Sequence, residues 1–540
     1  MTYVVTQSCC ADASCVVACP VNCIHPAPGE PGFAEAEMLY VDANSCVDCV
    51  ACLTACPVDA IRPHTELTPD QQPFVALNAA YYDAFPHPDR TPLALVPRQR
   101  RLTRRGPFRF AVVGSGPAGM YVADELLRHP EITVDVIDRL PTPYGLVRAG
   151  VAPDHQATKQ VSALFEAIER APGFDYLLGV DVGRDVTHDE LARHYDGVVY
   201  AVGAANDRRL GIPGEDLPGS VSATDLVGWY NGHPDKQELR VPLQHERVVV
   251  VGNGNVALDV ARILTADPDD LATTDIAALP WATLSRSRVC EVVVLGRRGP
   301  AEAAFTVPEL VGLAGIEDLN VVVDTGGETL AGDTAKLRLL AELAARPRVE
   351  GRRTLVLRFR TTPGRITGTD RVTGVEVLRD GATETIACGL VLRAIGYHGE
   401  PIPDLPHDPR TGTVPHDRGR VRPGVYVAGW AKRGPTGFIG TNKSCAQETV
   451  ERMLDDVDSG VLPVPTRSSD DLAATLELRG VVPIDAAGWR AIDHEERRRG
   501  MQRGRPRLKL VDPAELRRVA RERTARPGYS SARRRRQKRG

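Results

Sequence analysis

The sequence predicts an α/β protein in which a small α+β domain precedes two units that each combine a parallel sheet with helices. Two observations support this prediction. An apolar strand runs into a glycine-rich turn and then into a helical pattern at 108–127, and again at 246–264; this order is typical of doubly wound sheets. Nine of the twelve cysteines lie within the first 56 residues, which sets that segment apart from the rest of the chain.

The composition of the 540 residues is that of a globular protein, with 42% hydrophobic and 25% charged residues. The net charge of −4 does not favour nucleic acid, and no apolar run reaches the ~18 residues that predict a membrane span. The N-terminus MTYVVTQSCC has no basic segment followed by an apolar one, so it is not a signal peptide. We therefore expect a cytoplasmic monomer of about three or four domains, with neither a nucleic-acid nor a membrane partner.

The second run of cysteines has the spacing of a bacterial iron–sulfur protein. Cys46, Cys49, Cys52 and Cys56 follow the pattern C-x-x-C-x-x-C-x-x-x-C-P, in which the fourth cysteine ligates the other of two clusters. Three thiolates at this spacing surround one corner of a cubane cluster, and the following proline keeps the chain from closing on the same cluster. Without a secretory signal, such cysteines favour metal ligation over disulfides. A zinc site is the alternative, since C-x-x-C also holds zinc.

The first run departs from that spacing, because Cys9 and Cys15 are six residues apart. This resembles the seven-iron ferredoxins, in which one cluster has lost an iron together with a ligand. The resemblance implies two ligand sets: Cys9, Cys15 and Cys56 for a [3Fe-4S] cluster, and Cys19, Cys46, Cys49 and Cys52 for a [4Fe-4S] cluster. By the same resemblance Cys23 matches a free cysteine of such ferredoxins, and Cys10 has no assigned role; if either supplies the missing ligand, both clusters could have four irons.

Residues 64–106 are rich in proline and separate the cysteines from the first glycine-rich turn. We interpret them as an extended linker, semi-rigid where proline is dense. We expect the charges of the basic segment RQRRLTRR at 98–105 to be solvated rather than to have a docking role. Such a linker tethers the cysteine-rich domain and raises its effective concentration at the next site.

The first glycine-rich turn follows a short buried strand and has the motif G-x-G-x-x-G. Gly114, Gly116 and Gly119 let the chain turn tightly and let backbone N–H groups approach a pyrophosphate at the start of a helix; Ala118 lies in the same motif. The next strand ends on Asp138, about the ~20-residue distance expected of a carboxylate that binds a ribose. We therefore expect a bound dinucleotide here rather than a purely structural turn.

A second turn, Gly252-x-Gly254-x-x-Ala257, follows the strand that begins at residue 246, and the strand after it ends just before Arg297 and Arg298. An NAD site would have a carboxylate at this place. Two guanidiniums stand there instead, and their fork geometry suits the 2′-phosphate of NADP. Surface arginines without such a role are the alternative.

The chain then returns from the second unit to the first. The strand-like segment 195–204 closes the first half, and strands at 388–397 and 422–430 return the chain to a buried sheet. The glycine-rich loop at 431–444 offers backbone amides to a cofactor. Trp430, where the loop begins, either covers a flat ring or belongs to the core.

Weaker patterns mark the other segments. Residues 141–156 are too rich in glycine and proline for a helix or strand, and 310–385 are less regular. A helical insertion is expected near 265–288 and a helix at 512–523, and the basic end at 533–539 is expected in solvent. The chain thus divides into a cysteine-rich domain (1–63), the linker (64–106), a first nucleotide-binding part (107–215), a second nucleotide-binding domain (216–389), the return to the first (390–460) and an extension (461–540).

Residues 108–460 resemble the adrenodoxin-reductase type of NADPH–ferredoxin reductase. The segments VVGSGPAG, PTPYGLVRAGVAPDHQ, GNGNVALDVARIL, GRRGP and GWAKRGPTGFIGTNK carry the resemblance. With the cysteine-rich domain included, the chain resembles the fused ferredoxin/ferredoxin–NADP reductases of mycobacteria. The resemblance implies FAD contacts at Ala118, Asp138, Leu146, Val180, Trp430, Gly437, Phe438 and Ile439. It implies NADP contacts at Asn253, Gly254, Asn255, Val256, Arg297, Arg298, Glu309 and Gly437.

The resemblance also implies the activity, which is electron transfer between NADP(H) and iron–sulfur clusters through FAD. It associates His155 and Asp259 with proton and electron transfer near the isoalloxazine, whereas the residues by themselves favour a structural role. The fused ferredoxin would be the acceptor, or a relay to an external ferredoxin or an acceptor such as a monooxygenase. One alternative is an electron-input subunit similar to the small subunit of glutamate synthase. Another is a binding module or redox sensor that uses the reductase fold as a scaffold.

Overall fold

The cysteine-rich domain, residues 2–91, contains two antiparallel strand pairs and three helices. The structure is a computed structural model and describes residues 2–91, 100–204 and 206–522. The domain's elements are β1 (Tyr3–Val5), α1 (Ser14–Ala18), β2 (Ile24–His25), β3 (Tyr40–Val41), α2 (Ala51–Ala55), β4 (Ile61–Pro63) and α3 (Pro73–Ala84). Strand β1 pairs with β4 and strand β2 with β3, so the two cysteine runs are held between the paired strands.

Helix α3 lies where an extended linker was expected, and that expectation is wrong for residues 73–84. Phe74 is 1% exposed and packs in the core of the cysteine-rich domain. The Asn78 amide accepts from the N–H of Val5 at 3.2 Å and of Val41 at 2.9 Å, and donates to the Val5 carbonyl at 3.0 Å. These bonds join α3 to β1 and β3, so Pro73 begins a helix instead of extending a linker.

The first parallel sheet has the strand order β20-β21-β8-β5-β6-β7. Its strands are β5 (Phe108–Val113), β6 (Ile132–Asp138), β7 (Phe174–Leu178), β8 (Gly197–Tyr200), β20 (Arg420–Arg422) and β21 (Val425–Val427). Its helices are α4 (Pro117–Leu127), α5 (Leu146–Ala149), α6 (Gln156–Lys159), α7 (Ser162–Ile168), α8 (His188–Ala192), α15 (Trp430–Arg433) and α16 (Thr441–Ser459). All neighbours are parallel except the edge pair β20–β21. The single turns α5 and α6 correct the expectation that 141–156 has no helix.

The second parallel sheet has the order β10-β18-β11-β12-β14-β13. Its strands are β10 (Ser220–Ser222), β11 (Arg247–Val251), β12 (Glu291–Leu295), β13 (Leu319–Asp324), β14 (Arg353–Arg358) and β18 (Leu390–Arg393). Its helices are α9 (Ala223–Tyr230), α10 (Asn255–Thr265), α11 (Pro268–Ala272), α12 (Ala278–Leu284), α13 (Val307–Ala314) and α14 (Ala335–Ala345). The helical insertion expected near 265–288 is present as α11 and α12.

Two expectations about the second unit are wrong. Residues 310–385 are regular, because they hold the second half of the sheet and an antiparallel sheet of β15 (Thr362–Thr367), β16 (Gly374–Arg379) and β17 (Ala382–Ala387). Strand β18 pairs with β10 and β11, so the chain leaves the second unit after residue 393 and not at 389. The two connections between the sheets pair as β9 (Asn206–Asp207) and β19 (Tyr397–His398).

The C-terminal extension packs against the first unit through α17 (Ser469–Leu478), α18 (Ala486–Met501) and α19 (Pro513–Glu522). Trp489 is 1% exposed within the core around α4. Glu496 is fully buried and accepts from the Arg148 guanidinium at 2.9 and 2.5 Å. The helix expected at 512–523 is therefore present as α19, whereas the basic end at 533–539 lies outside the described residues. Across the described ranges, no helix combines the length and apolarity needed to cross a bilayer.

Candidate functional site

The two glycine-rich turns have the same geometry at the carboxyl end of each parallel sheet. Gly114 has φ +106° and Gly252 has φ +112°. A Cβ on Gly114 would lie 2.4 Å from the Ala201 carbonyl oxygen, and one on Gly252 would lie 2.2 Å from that of Ala394. Both the left-handed conformation and the close backbone contact require glycine. The second unit thus repeats the architecture of the first, as the two sequence motifs predict.

Open space lies over the start of the helix that follows each turn. Gly116 caps α4 and Gly254 caps α10. A Cβ on Gly116 would meet only the Cα of Gly145, at 4.0 Å, and a Cβ on Gly254 would meet no described atom within 4 Å. A helix start exposes unpaired N–H groups and the positive end of the helix dipole. Each turn can therefore receive an anionic group such as a pyrophosphate.

The other members of the first motif set the helix against the strand. A Cβ on Gly119 would lie 1.9 Å from the carbonyl oxygen of Gly114, so no larger residue fits there. Ala118 lies beside the loop that follows β21, because a Cβ on Gly429 would lie 2.5 Å from the Ala118 Cβ. The glycine-rich loop at 431–444 therefore begins next to the first turn.

The two units differ in charge beyond their second strands. Asp138 ends β6, and its carboxylate accepts from the N–H and hydroxyl of Ser115 at 2.7 and 2.6 Å and from the Leu140 N–H at 2.8 Å. Arg297 and Arg298 follow β12, are exposed, and form no ion pair with a described residue. The first site therefore holds an acceptor of fixed orientation, while the second presents two free cations.

Most of the remaining residues implied for the first site lie in the 431–444 loop or directly before it. Trp430 lies beside Tyr397, with 5.0 Å between ring centroids and 47° between ring planes. Gly437 has φ +81°, and Phe438 and Ile439 are partly buried. Elsewhere, Leu146 on α5 is 39% exposed, and the N–H of Val180, a residue 1% exposed, donates to the Asp138 carbonyl at 2.9 Å.

Two asparagines of the second turn connect it to the start of α13. The Asn255 side chain accepts from the Thr306 N–H at 2.8 Å and donates to its hydroxyl at 3.2 Å. Asn253 accepts from the Ala304 N–H at 3.5 Å. Val256 and both asparagines are partly buried at the start of α10. These bonds fix the segment 304–306 over the second turn.

A buried arginine joins the polar residues between the two units. Nη2 of Arg262 lies 2.7 Å from His155 Nε2 and 2.7 Å from Asp259 Oδ1, and Nη1 lies 3.5 Å from Glu309 Oε2. Nε of the same guanidinium bonds the carboxylate of Asp154. His155 and Asp259 therefore meet through Arg262, and Glu309 lies 3.9 Å from His155 rather than beside the two exposed arginines.

The charged groups of this cluster shift one another's pKa. Burial raises the pKa of Glu309, and the nearby Asp259 raises it further. Burial also acts to raise the pKa of Asp154, but the charge and hydrogen bond of Arg262, together with the nearby His155, outweigh it and leave that pKa below its usual range. Sequence reasoning missed Arg262 and Asp154. The available signal was an arginine three residues after Asp259 within the otherwise apolar segment VALDVARIL.

The cysteines form two groups in the cysteine-rich domain. Burial raises the pKa of Cys9 to about 11, and proximity to Cys56 adds to the effect. Burial raises the pKa of Cys15 strongly, with Cys9 and Cys56 again among the causes. Burial raises the pKa of Cys52 to about 12, and here the neighbouring thiols are Cys46, Cys19 and Cys49. We call Cys9, Cys15 and Cys56 the inner thiols, and Cys19, Cys46, Cys49 and Cys52 the outer thiols.

The two spare cysteines divide between these groups. Cys10 is 4% exposed, and its pKa is raised by burial and by proximity to Cys9 and Cys56. The Sγ of Cys23 lies 3.4 Å from that of Cys19, and this contact lowers the pKa of Cys19 to about 6. Cys10 is therefore beside the inner thiols, and Cys23 beside the outer ones.

Comparison with known proteins identifies the family of the chain. The profile of the pyridine nucleotide-disulphide oxidoreductases matches residues 108–298. The chain is 50% identical, over 96% of its own length and 98% of the relative's, to a Mycobacterium leprae protein named "Probable ferredoxin/ferredoxin--NADP reductase". The chain belongs to the ferredoxin/ferredoxin–NADP reductase family. A Mycobacterium tuberculosis member of this family is 51% identical over 96% of the chain and 94% of the relative.

The fold of the present chain is also similar to that of a solved structure. The structure described as "Mycobacterium tuberculosis FprA in complex with NADPH" has a TM-score of 0.73 and 42% identity. The match covers 77% of this chain and 99% of that protein. The α/β oxidoreductase fold predicted from the sequence is therefore confirmed for the reductase part.

Proposed function

We propose that this chain is an FAD-dependent NADPH–ferredoxin oxidoreductase whose N-terminal ferredoxin domain is the acceptor of its electrons, or their relay. The observation that carries the proposal is the position of the inner thiols. Cys9 and Cys56 pack against the core of the first unit as well as against their own domain. FAD accepts a hydride from NADPH and passes electrons singly to iron–sulfur clusters, which lets it join the two sites.

The first site fits FAD. The open start of α4 at Gly116 can take the pyrophosphate. Asp138 keeps one acceptor site for a ribose hydroxyl, because its three bonded donors use three of its about four lone-pair sites. Trp430 and residues 437–439 border the space beside this turn. The contacts implied at Leu146 and Val180 are part of the proposal; at Val180 the backbone N–H is already used, which leaves its carbonyl.

The second site fits NADP rather than NAD. Gly254 leaves the start of α10 open for a pyrophosphate, and Asn253, Asn255 and Val256 border the same turn. Arg297 and Arg298 supply the charge that a 2′-phosphate needs, at the place where an NAD site has a carboxylate. The two units face each other across the cluster around Arg262. We propose that this cluster holds His155 and Asp259 in position for the transfer.

The thiols fit iron–sulfur clusters better than zinc. Four sulfurs around one zinc at about 2.3 Å would lie about 4 Å apart. Yet in the described ranges, each set of three or more ligand atoms within 4.8 Å of one another consists of histidine and carboxylate groups, without cysteine. We propose a [4Fe-4S] cluster on the outer thiols and a [3Fe-4S] cluster on the inner ones. Because Cys10 lies beside the inner thiols, it is the spare cysteine placed to complete a second four-iron site.

An anaerobic titration with NADPH tests the proposal. We expect flavin absorbance to fall first, iron–sulfur absorbance to change next, and a three-iron EPR signal in the oxidised protein with an iron-to-sulfide ratio below one. Titration with NADH is the matched control and should require a higher concentration for the same change. A purified protein that binds no flavin would contradict the proposed function. Clusters that stay oxidised after flavin reduction would contradict the proposed direction of electron transfer. Gel filtration with activity tests whether the monomer is sufficient, as we propose.

A further inference from the structure

We propose that Gly440 is the docking seat of the ferredoxin domain on the reductase, and that it holds the inner thiols, rather than the outer ones, beside the 437–439 loop. The role of this contact in electron transfer rests on the proposed function. The docking contact itself follows from the described residues alone.

The loop of residues 10–12 lies directly on Gly440. The Gly440 N–H donates to the Cys10 carbonyl at 2.8 Å. A Cβ on Gly440 would lie 2.2 Å from the Ala11 carbonyl carbon, 2.2 Å from the Asp12 nitrogen and 2.3 Å from the Ala11 carbonyl oxygen. All three are backbone atoms, so no side-chain rotation can relieve the overlap.

The backbone of Gly440 does not itself require glycine. Its φ of −69° and ψ of −29° are ordinary right-handed values at the start of α16, which any residue adopts. Gly440 is the N-cap of α16, a position at which glycine is preferred to alanine. The close contact with residues 10–12 adds a steric requirement for glycine to that capping preference.

Charged and polar contacts fix the orientation of the docked loop. Lys443, one turn further along α16, lies 3.6 Å from the Asp12 carboxylate and donates to the Ser14 hydroxyl at 3.0 Å. A second contact joins the ferredoxin domain to the other unit, where the Val307 N–H donates to the Glu37 carboxylate at 2.8 Å. The domain therefore bridges both nucleotide-binding units.

The two thiol groups differ in their surroundings. Cys10, whose carbonyl receives the Gly440 N–H, is buried in the reductase core together with partly buried Cys9 and Cys56. Ile439, adjacent to the seat, packs against the same core. Cys49, an outer thiol, is exposed. Electrons that cross the seat therefore reach the inner thiols first.

The electron balance of the step is complete with the partners named. One NADPH gives up a hydride, which is two electrons and one proton. The inner and the outer cluster sites each take one electron, and the proton is released to water. The seat changes no bond and only holds the inner site in place.

The variant Gly440→Ala tests the seat, with Gly364→Ala as its control. Gly364 is exposed, and its added Cβ would meet only the Glu376 carbonyl oxygen, at 3.7 Å. Overpacking against backbone should lower the ratio of docked to undocked domain by about 5- to 150-fold. Amide hydrogen exchange, which needs no cofactor, should then accelerate in peptides covering 9–15 and 437–445 of Gly440→Ala only.

Kinetics separates docking from the proposed reaction. In Gly440→Ala, NADPH-driven reduction of ferricyanide measures flavin reduction by itself, and the rate of cluster reduction should fall relative to that rate. In the unsubstituted protein, freeze-quenched samples should show the EPR signal of the inner site changing first. Faster exchange with no flavin chemistry in either protein would leave the seat standing and refute the proposed function. Unchanged exchange and unchanged cluster reduction would refute the seat.

The variant Lys443→Gln covers the case in which Gly440→Ala does not fold. Lys443 is one-quarter exposed, so its attraction to Asp12 is screened by salt. Cluster reduction in the unsubstituted protein should slow as salt is added, and Lys443→Gln should be slower at low salt and less sensitive to its addition. Equal rates and equal salt dependence in the two proteins would overturn the docking orientation.

Discussion

Replacing Arg262 with methionine tests whether one guanidinium holds together the polar cluster between the two nucleotide-binding units. The Arg262 side chain is 8% exposed and contacts three carboxylates, those of Asp154, Asp259 and Glu309. It also lies 2.7 Å from His155 Nε2. Methionine keeps much of the volume of the arginine stem but leaves these partly exposed carboxylates without a counter-charge.

The expected loss follows from the burial of Arg262 and the partial exposure of its partners. Removing one partner of a fully buried ion pair costs about 3–5 kcal/mol, whereas an exposed pair contributes less than about 1 kcal/mol. The three carboxylates are 15–29% exposed, so we expect a loss of about 1–3 kcal/mol. In a unit of about 150–250 residues, each kcal/mol lowers the melting temperature by about 2–4 °C, so Arg262→Met should lower the melting temperature of the second unit by about 2–12 °C at neutral pH.

The pH dependence of the loss has a definite sign. In the unsubstituted protein the pKa of Asp154 is lowered, because Arg262 outweighs burial. A lowered folded-state pKa stabilises the protein above the unfolded value of about 4, and this stabilisation disappears as pH falls through the folded value. Without Arg262, burial raises the pKa of the carboxylates, so they take up protons more readily. The deficit of Arg262→Met should therefore be largest at neutral pH and should shrink toward about pH 5.

Scanning calorimetry of the full chain at both pH values measures the effect. The melting temperature of Arg262→Lys should lie between those of the unsubstituted protein and Arg262→Met, because lysine keeps the charge but lacks the planar fork of arginine. Arg170→Met removes an arginine whose side chain is 69% exposed and which pairs with Glu166; it should cost less than about 1 kcal/mol. A loss in Arg262→Met no larger than in Arg170→Met, or a deficit that grows on acidification, would refute the reasoning.

Three further predictions concern other parts of the molecule. Replacing both Arg297 and Arg298 with alanine should lower the preference for NADPH over NADH by at least about tenfold, measured as the ratio of kcat/KM, because each charge-assisted hydrogen bond contributes about 1.5–3 kcal/mol. Asn78→Ala should destabilise the cysteine-rich domain by about 1–3 kcal/mol for each buried backbone N–H left unpaired, measured by urea denaturation. Burial raises the pKa of Glu169 to about 7. Stability from a raised pKa is full below the unfolded value and is lost as pH rises through the folded one, so Glu169→Gln should remove a decline in melting temperature between about pH 4.5 and 7.

Matched variants control the first two of these predictions. Arg360→Ala removes a neighbouring exposed arginine that pairs with Glu328, and it should leave the nucleotide preference unchanged. Gln72→Ala removes an exposed amide just before α3 and should cost little stability. For Glu169, the same pH decline in Glu169→Gln as in the unsubstituted protein would contradict the assigned cause.

Sequence alone determined the features that consecutive residues encode. The strand–turn–helix order around Gly114 and Gly252, the strand that ends on Asp138, and the helical insertion after α10 are local patterns, and the structure shows each of them. The overall α/β class follows from the same patterns. The resemblance of the cysteine runs to seven-iron ferredoxins also implied two ligand sets before any fold was known, and both the sets and their metals stay a prediction.

Only the tertiary structure decided which distant segments meet. Local pattern could not show that α3 joins the cysteine-rich domain through Asn78, since its partners lie 37 and 73 residues away. Nor could it assign β18 to the second sheet, because buried parallel strands share one apolar pattern whichever sheet they join. Arg262 and Gly440 acquire their roles only when helices from separate units bring carboxylates or a loop against them. Spacing encodes local geometry, whereas long-range packing decides the partners of a buried charge or a closely packed glycine.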